Sequence, residues 1–219
     1  ALSPNLAPSL ALLADVVRNP AFRDEDVARA RDQQLADIAQ AKASPRALAM
    51  RTISPILFGP AHPYGQPGDG LGDAGTVKAM SPASLRAAQA KWLRPDNMTI
   101  TVVGDVDMAT LLPMLESSFG SWRAPASPRG VKSLDAAVPA PQPRIVLIDR
   151  PGSPQSVIVA GRVLPLSGRD QGLEALDLAN EVLGNNFLSR LNLDLREEKG
   201  WSYGVRSLVR SPQIGRAHV

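Results

Sequence analysis

Cysteine is absent from this chain of 219 residues. Its absence excludes disulfides, thiol nucleophiles and cysteine-ligated metals. Histidine is nearly absent: His62 and His218 are the only two, so a site needing several imidazoles has few candidates. Aromatic residues make up 4% of the chain, against 44% hydrophobic residues overall, so the core must be aliphatic. No stretch reaches the ~18 consecutive apolar residues that a membrane-spanning helix needs. Nor is there a run of one charge sign. Lys and Arg total 24, Asp and Glu total 21, and the net charge is +3. That mixture argues against nucleic acid as the main partner.

An initiating Met is also missing. The chain opens at Ala1 directly in a helical pattern, and it ends Ile214-Gly215-Arg216-Ala217-His218-Val219. That hexapeptide reads as the translation of a common DNA-sequencing adapter, so 214–219 is set apart from fold reasoning. His62 is then the one histidine left. The chain is expected to be an internal piece of a longer protein, and its richness in Ala, Arg, Gly and Pro suits a high-GC bacterial genome.

What is present is a series of helical patterns punctuated by Pro and Gly. Residues 9–18 carry Leu10, Leu12, Leu13 and Val16 and end at Asn19-Pro20. Asp24 is a candidate cap for a second helix reaching about Lys42, with Val27, Ala30, Leu35, Ile38 and Ala41 as its apolar stripe. Pro45 opens a third helix to Phe58, expected to kink or break at Pro55. The loop 59–73 is rich in Gly and Pro. It follows no predicted strand and lacks a closing Gly-Lys-Ser/Thr, so it reads as structural and not as a phosphate cradle. His62 within it reads as a structural histidine. Ser81-Pro82 is an N-cap signal for a helix to Leu93. The run Met98-Thr99-Ile100-Thr101-Val102-Val103-Gly104 reads as a buried strand, and Asp107 starts a helix ending at Phe119-Gly120. Five prolines between 124 and 143 suggest a linker. Strands are expected at 145–148, 156–160 and 201–209, and Leu173, Leu176, Asn180 and Leu183 mark a helix.

The stretch 183–205, LGNNFLSRLNLDLREEKGWSYGV, organises the second half. Phe187, Leu188, Leu191 and Leu195 recur at helical spacing, and Lys199-Gly200 is a stop signal after Glu198. Arg196 and Tyr203 therefore flank a helix-to-strand turn, seven positions apart. A guanidinium and a phenol so placed can both donate hydrogen bonds to one carbonyl or oxyanion. Spacing alone favours an ordinary surface Arg and a half-buried Tyr.

The wording LG-x-x-F-x-SRLN-x-x-LRE-x-KGWSYGV resembles the later domain of the pitrilysin/insulinase family of zinc metallopeptidases. The resemblance runs from about Leu10 to Leu208 and is also marked in 94–106, RPDNMTITVVGDV. It implies an α/β fold of α+β sandwich type: two incomplete insulinase-like domains, each with helices packed on a mostly antiparallel sheet. Residues 1–123 would be the C-terminal part of one domain, 124–143 the linker, and 144–213 the N-terminal part of the next. It also implies that Arg196 and Tyr203 contact a peptide substrate. In that family zinc is held by H-x-x-E-H and a downstream Glu. No H-x-x-E-H occurs here, so the chain is expected to hold neither cofactor nor catalytic residue. In this resemblance the family's two downstream glutamates, seven apart, align with Ala30 and Asp37. Ala30 has no ligating atom, and Asp37 is a shorter acid without partners. The resemblance thus implies the zinc-free, substrate-binding half of a peptidase that closes over peptides against a zinc-bearing catalytic half, in the same chain or a partner subunit. The alternative is a non-catalytic scaffold or assembly subunit of the same superfamily.

Overall fold

A helix of ordinary length leaves four N–H groups at its start and four carbonyls at its end without partners of its own. Which groups take them up largely dictates how this chain is put together. The computed structural model describes residues 1–134, 136–140, 142–166 and 170–210. The tail 214–219 lies outside them, as does Pro141 of the expected linker. The described chain divides into one unit spanning Ala1–Gly161 and a second that starts at Arg162.

The first unit contains α1 (Leu6–Arg18), α2 (Asp24–Ala43), α3 (Pro45–Phe58), α4 (Ala74–Ala79), α5 (Pro82–Trp92) and α6 (Met108–Phe119). Leu10 and Ala14, one turn apart, form the buried face of α1, which packs on α6 and its buried Leu111. Val27 and Ile38 form the buried face of α2, which packs on α3 and on α4 with its buried Val77. The expected stripes were wider than this: Leu12, Leu13, Val16 and Ala30 face outward.

Four helix starts are capped by side chains. Ser44 accepts from the Ala47 N–H, Asp73 from Gly75 and Thr76, Ser81 from Ser84, and Asp107 from Thr110. Ser81 and Ser84 cap each other reciprocally. Asp24 does not cap α2. It lies inside the first turn with Glu25 and Asp26, where the three carboxylates face the positive end of the helix dipole. α4 was not anticipated; six residues are too few to show a period. α3 runs through Pro55 unbroken, and its end is capped: the Gly59 N–H bonds the Pro55 carbonyl at 2.9 Å, and Arg144 donates to the Ile56 carbonyl.

The helix ends of this unit are served largely from far along the sequence. Gln89 donates to the Val17 and Arg18 carbonyls of α1 at 2.9 and 3.3 Å. Arg150 donates to the Ala43 carbonyl of α2 at 2.5 Å, and Arg31 to Met80 just past α4 at 3.3 Å. Asn97 and the Gly130 N–H take the Trp92 and Lys91 carbonyls of α5, and Arg18 takes Ser118 of α6 at 2.6 Å. Each guanidinium brings positive charge to the negative end of a helix and ties two distant segments together. Arg94 does the same for an irregular segment. It is 3% exposed, grips both carboxylate oxygens of Asp96 at 2.6 and 2.9 Å, and donates to the Pro125 and Ser127 carbonyls.

The expected α/β architecture is not formed. Among the described residues there is no strand and no sheet, and the fold is helical. An apolar run states a demand for burial, but it becomes a strand only when a second edge takes up its N–H and C=O groups. The segments 98–103, 145–148 and 156–160 are irregular, and among the described residues their backbone groups bond no other segment's backbone. Many of their apolar side chains stay in solvent: Val103, Ile145 and Ile158 are 95%, 97% and 91% exposed. The segment 201–209 is likewise no strand.

Arg94→Met should lower stability by about 2 kcal/mol or more, since it strips charged hydrogen bonds from two carbonyls and a carboxylate. Urea unfolding measures this, and a change within error would show that the Arg94 bonds are incidental. Backbone hydrogen bonds at Asp73 and Asp107 and the Arg94 guanidinium at Asp96 hold all three carboxyls below their usual range. Groups depressed on folding stabilise above their unfolded pKa of about 3.9 and lose that contribution as pH falls through the folded values. Thermal stability should therefore drop below about pH 4, and the drop should be shallower in Asp73→Asn/Asp107→Asn, which keeps both caps without the charge.

Candidate functional site

The second unit is built on two interrupted helices. α7 (Leu173–Asn180) passes into a π-helical turn at Glu181–Asn185, and α8 (Arg190–Asn192) into another at Leu193–Glu198. Such turns often mark functional positions, because the extra residue rotates the following side chains off the regular face. The second turn stops as the sequence predicts. The Lys199 N–H bonds the Asp194 carbonyl at 3.0 Å, and Gly200 takes φ +62°, a conformation open to a residue without Cβ. The Lys199 ammonium closes the loop on both Asp194 oxygens at 2.7 and 2.9 Å. That pairing raises the Lys199 pKa. Its contribution is present below the unfolded value of about 10.4 and is lost as pH rises through the higher folded one.

Arg196 lies in the π turn and Tyr203 three residues past Gly200. The Arg196 guanidinium sits 4.3 Å from the centre of the Phe187 ring and donates to Glu197 at 2.6 Å. Stacking on Phe187 fixes its plane, while one bond to Glu197 leaves most of its five donors unused. Tyr203 is 93% exposed. No hydrogen bond or ring contact joins it to Arg196. The structure thus puts the two residues on either side of one turn, Arg196 half-buried and Tyr203 open to solvent, without bringing them together.

What positions Tyr203 is a set of residues that the sequence reading passed over. Asn192, 7% exposed, accepts from the Val205 N–H at 2.8 Å and donates to the Asn186 carbonyl at 3.2 Å. Asn180 donates to the Ser207 carbonyl at 3.0 Å, and the Ser207 N–H returns a bond to Gly184 at 2.9 Å. The segment after the turn is therefore pinned at 205 and 207 by two amide side chains and one backbone bond. Gly184 permits the close approach: a Cβ there would lie 2.7 Å from Ser207 Cβ. Asn180 was legible only as a helix residue. The available signal was its polarity within the apolar series Leu176, Asn180, Leu183, at a place where Asn is a poor helix former.

The other candidates resolve into structural roles. Arg51 holds the Gly-rich loop, paired with Asp69 and donating to the Gly72 carbonyl at 2.6 Å. His62 is buried, accepts from the Tyr64 N–H at its Nδ1 at 3.0 Å, and stacks on Phe58 with centroids 5.2 Å apart. Ala30 and Asp37 lie on α2, two turns apart; Asp37 accepts from Gln33 at 2.9 Å. Among the described residues no three His, Cys, Asp or Glu side chains converge as metal ligands, and no helix is long and apolar enough to cross a membrane. These residues do not fit a zinc centre: His62, the one histidine among the described residues, has its Nδ1 committed, and Ala30 offers no donor atom.

Comparison with known proteins matches residues 79–213 to the family model described as the peptidase M16 inactive domain. An uncharacterized zinc protease of Mycobacterium tuberculosis is 30% identical over 213 residues, covering 95% of this chain and 46% of that protein. The crystal structure of a peptidase M16 inactive domain from Pseudomonas fluorescens superposes with a TM-score of 0.70 at 27% identity, covering 96% of this chain and 49% of that one. A protease from Helicobacter pylori superposes at 0.72 with 17% identity, covering 95% and 50%, a likeness of fold. The chain spans about half the length of the curated relatives it matches.

Asn192→Ala should cost about 1–3 kcal/mol, because it leaves the buried Val205 N–H without its acceptor. It should also speed hydrogen exchange at the Val205 amide while the amides of α1 to α6 keep their protection. Unchanged exchange at Val205 would show that the segment is held by something other than Asn192.

Proposed function

The chain belongs to the peptidase M16 family, of which it carries the inactive domain, and from that premise we propose that it is the zinc-free, substrate-binding half of a metallopeptidase that cleaves peptides between two halves. The carrying observation is the turn at Gly200. It presents a stacked guanidinium with unused donors and a solvent-facing phenol on either side of one rigid reversal. A peptide backbone offers carbonyl oxygens at regular intervals, and these two groups are suited to take one or two of them.

In this reading Arg196 grips a substrate carbonyl. Its plane is set in advance by Phe187, so little rotamer freedom is lost on binding. The Tyr203 hydroxyl donates to a carbonyl or to the oxyanion that develops from it, and charge grows on that oxygen only as the bond is attacked. The Asn192 and Asn180 bonds hold the segment bearing Tyr203 in register, which is a positioning role. Zinc belongs to the catalytic half, since the residues of this chain do not fit it. That half is supplied by the same chain or by a partner subunit, and the substrate is a peptide.

The test uses the protein assembled with its catalytic half. Tyr203→Phe removes one hydroxyl and leaves the ring, and should lower kcat by about 10²-fold. Arg196→Lys keeps the charge but loses the planar fork, and should raise KM more than it lowers kcat. Peptidase kinetics unchanged in both variants would refute the substrate role. A catalytic half that itself lacks H-x-x-E-H would instead favour the scaffold reading.

A further inference from the structure

A cavity of about 440 Å³ opens in the first unit between the end of α2, one face of α3, the loop after it and the segment bearing Arg144. Its volume lies within the ~300–1,000 Å³ typical of small-molecule sites. The floor is apolar and stiff: Leu48, Pro55, Ile56 and Pro60 contribute to it, and prolines surrender little freedom when a ligand orders them. The polar groups at its edge are cationic, namely Lys42, Arg51 and Arg144.

These cations are not equally available. Arg51 is buried and committed to Asp69 and the Gly72 carbonyl. Arg144 spends one N–H on the Ile56 carbonyl, which leaves it anchored with most of its fork unused. Lys42 is exposed, and its ammonium makes no hydrogen bond or ion pair among the described residues. The nearby acids are engaged elsewhere: Asp69 with Arg51, and Asp73 with the start of α4, although Asp73 still feels the charge of Lys42. The Thr52 hydroxyl is turned to the Leu48 carbonyl at 2.7 Å and has no hydrogen to offer. An apolar trough with two cations in its lining, neither paired with an acid among the described residues, selects a ligand with an apolar body and one anionic end.

We propose that this cavity binds a small apolar carboxylate, its chain against Leu48, Pro55, Ile56 and Pro60 and its carboxylate between Lys42 and Arg144. A fatty acid and the C-terminal end of an apolar peptide share that chemistry. The site is separate from the turn at Gly200, and it stands whether or not that turn contacts substrate.

Isothermal titration of the whole chain with octanoate, octanol, hexanoate, N-acetyl-Leu-Leu and its C-terminal amide tests the assignment. Octanoate should bind about tenfold more tightly than hexanoate, as two further buried methylenes require. Octanol and the peptide amide should each bind at least tenfold more weakly than the corresponding acid. Lys42→Gln and Arg144→Gln should each weaken octanoate several-fold with the melting temperature of Lys42→Gln unchanged. Tighter binding of octanoate than of the peptide acid identifies a fatty acid as the source, and the reverse order identifies a peptide terminus. Equal binding of octanol and octanoate, no binding of either acid, or unchanged affinity in both variants overturns the proposal.

Discussion

The bond between a guanidinium and a helix-end carbonyl holds the first unit together. Its apolar core is thin: Leu10, Ala14, Val27, Ile38, Val77 and Leu111 are its buried hydrophobic residues, and none is aromatic. Such a core cannot by itself fix how six helices lie. The exposed carbonyls at each helix end supply a second set of constraints, because every one must find a donor or remain in water. Arg18, Arg31, Arg144 and Arg150 reach from remote segments to those carbonyls, and Gln89 does the same for α1. Arginine suits this work. Its charge is permanent, its fork is planar, and it is more weakly hydrated than an ammonium, so desolvating it costs less.

The second unit uses a neutral version of the same logic. Asn180 and Asn192 lie at the last residues of α7 and α8, and their amides take up the backbone of the segment after the turn. An amide can donate and accept at once, so Asn192 ties Val205 to Asn186 through a single side chain. The consequence for function is indirect. Arg196 is half-buried against Phe187 and Tyr203 is exposed, whereas the buried Asn180 and Asn192 hold the segment that carries Tyr203. Interactions of this kind rigidify a site only when fully satisfied. The buried Ser189 hydroxyl is the exception, with no hydrogen-bond partner among the described residues.

Much of the local structure was legible. Pro45, Ser81-Pro82 and Asp107 announce helix starts because a fixed φ at the first turn, or a side-chain oxygen at the cap, needs only its neighbours a few residues on. Lys199-Gly200 announces a stop for the same reason: a positive φ at Gly200 is a local property. The strands were misread because their criterion is not local. Met98–Gly104 and Ile145–Ile148 have the composition of strands, yet composition does not supply the second edge that pairing requires. Helix content can be argued from one segment at a time, and sheet content cannot.

The sequence by itself determined the chemistry that this chain lacks. Without Cys and without H-x-x-E-H, it lacks the motif by which this family holds zinc, and no arrangement in space supplies it. It also determined family membership, carried by the wording from 183 to 205, and the spacing of Arg196 and Tyr203 across a turn. Tertiary structure alone decided that Arg196 stacks on Phe187, that Asn192 holds the Val205 backbone, and that Lys42 and Arg144 line one cavity. Caps and turns are set by neighbours a few residues away and are written in the local sequence. The pairing of a side chain with a carbonyl a hundred residues away depends on the path of the whole chain.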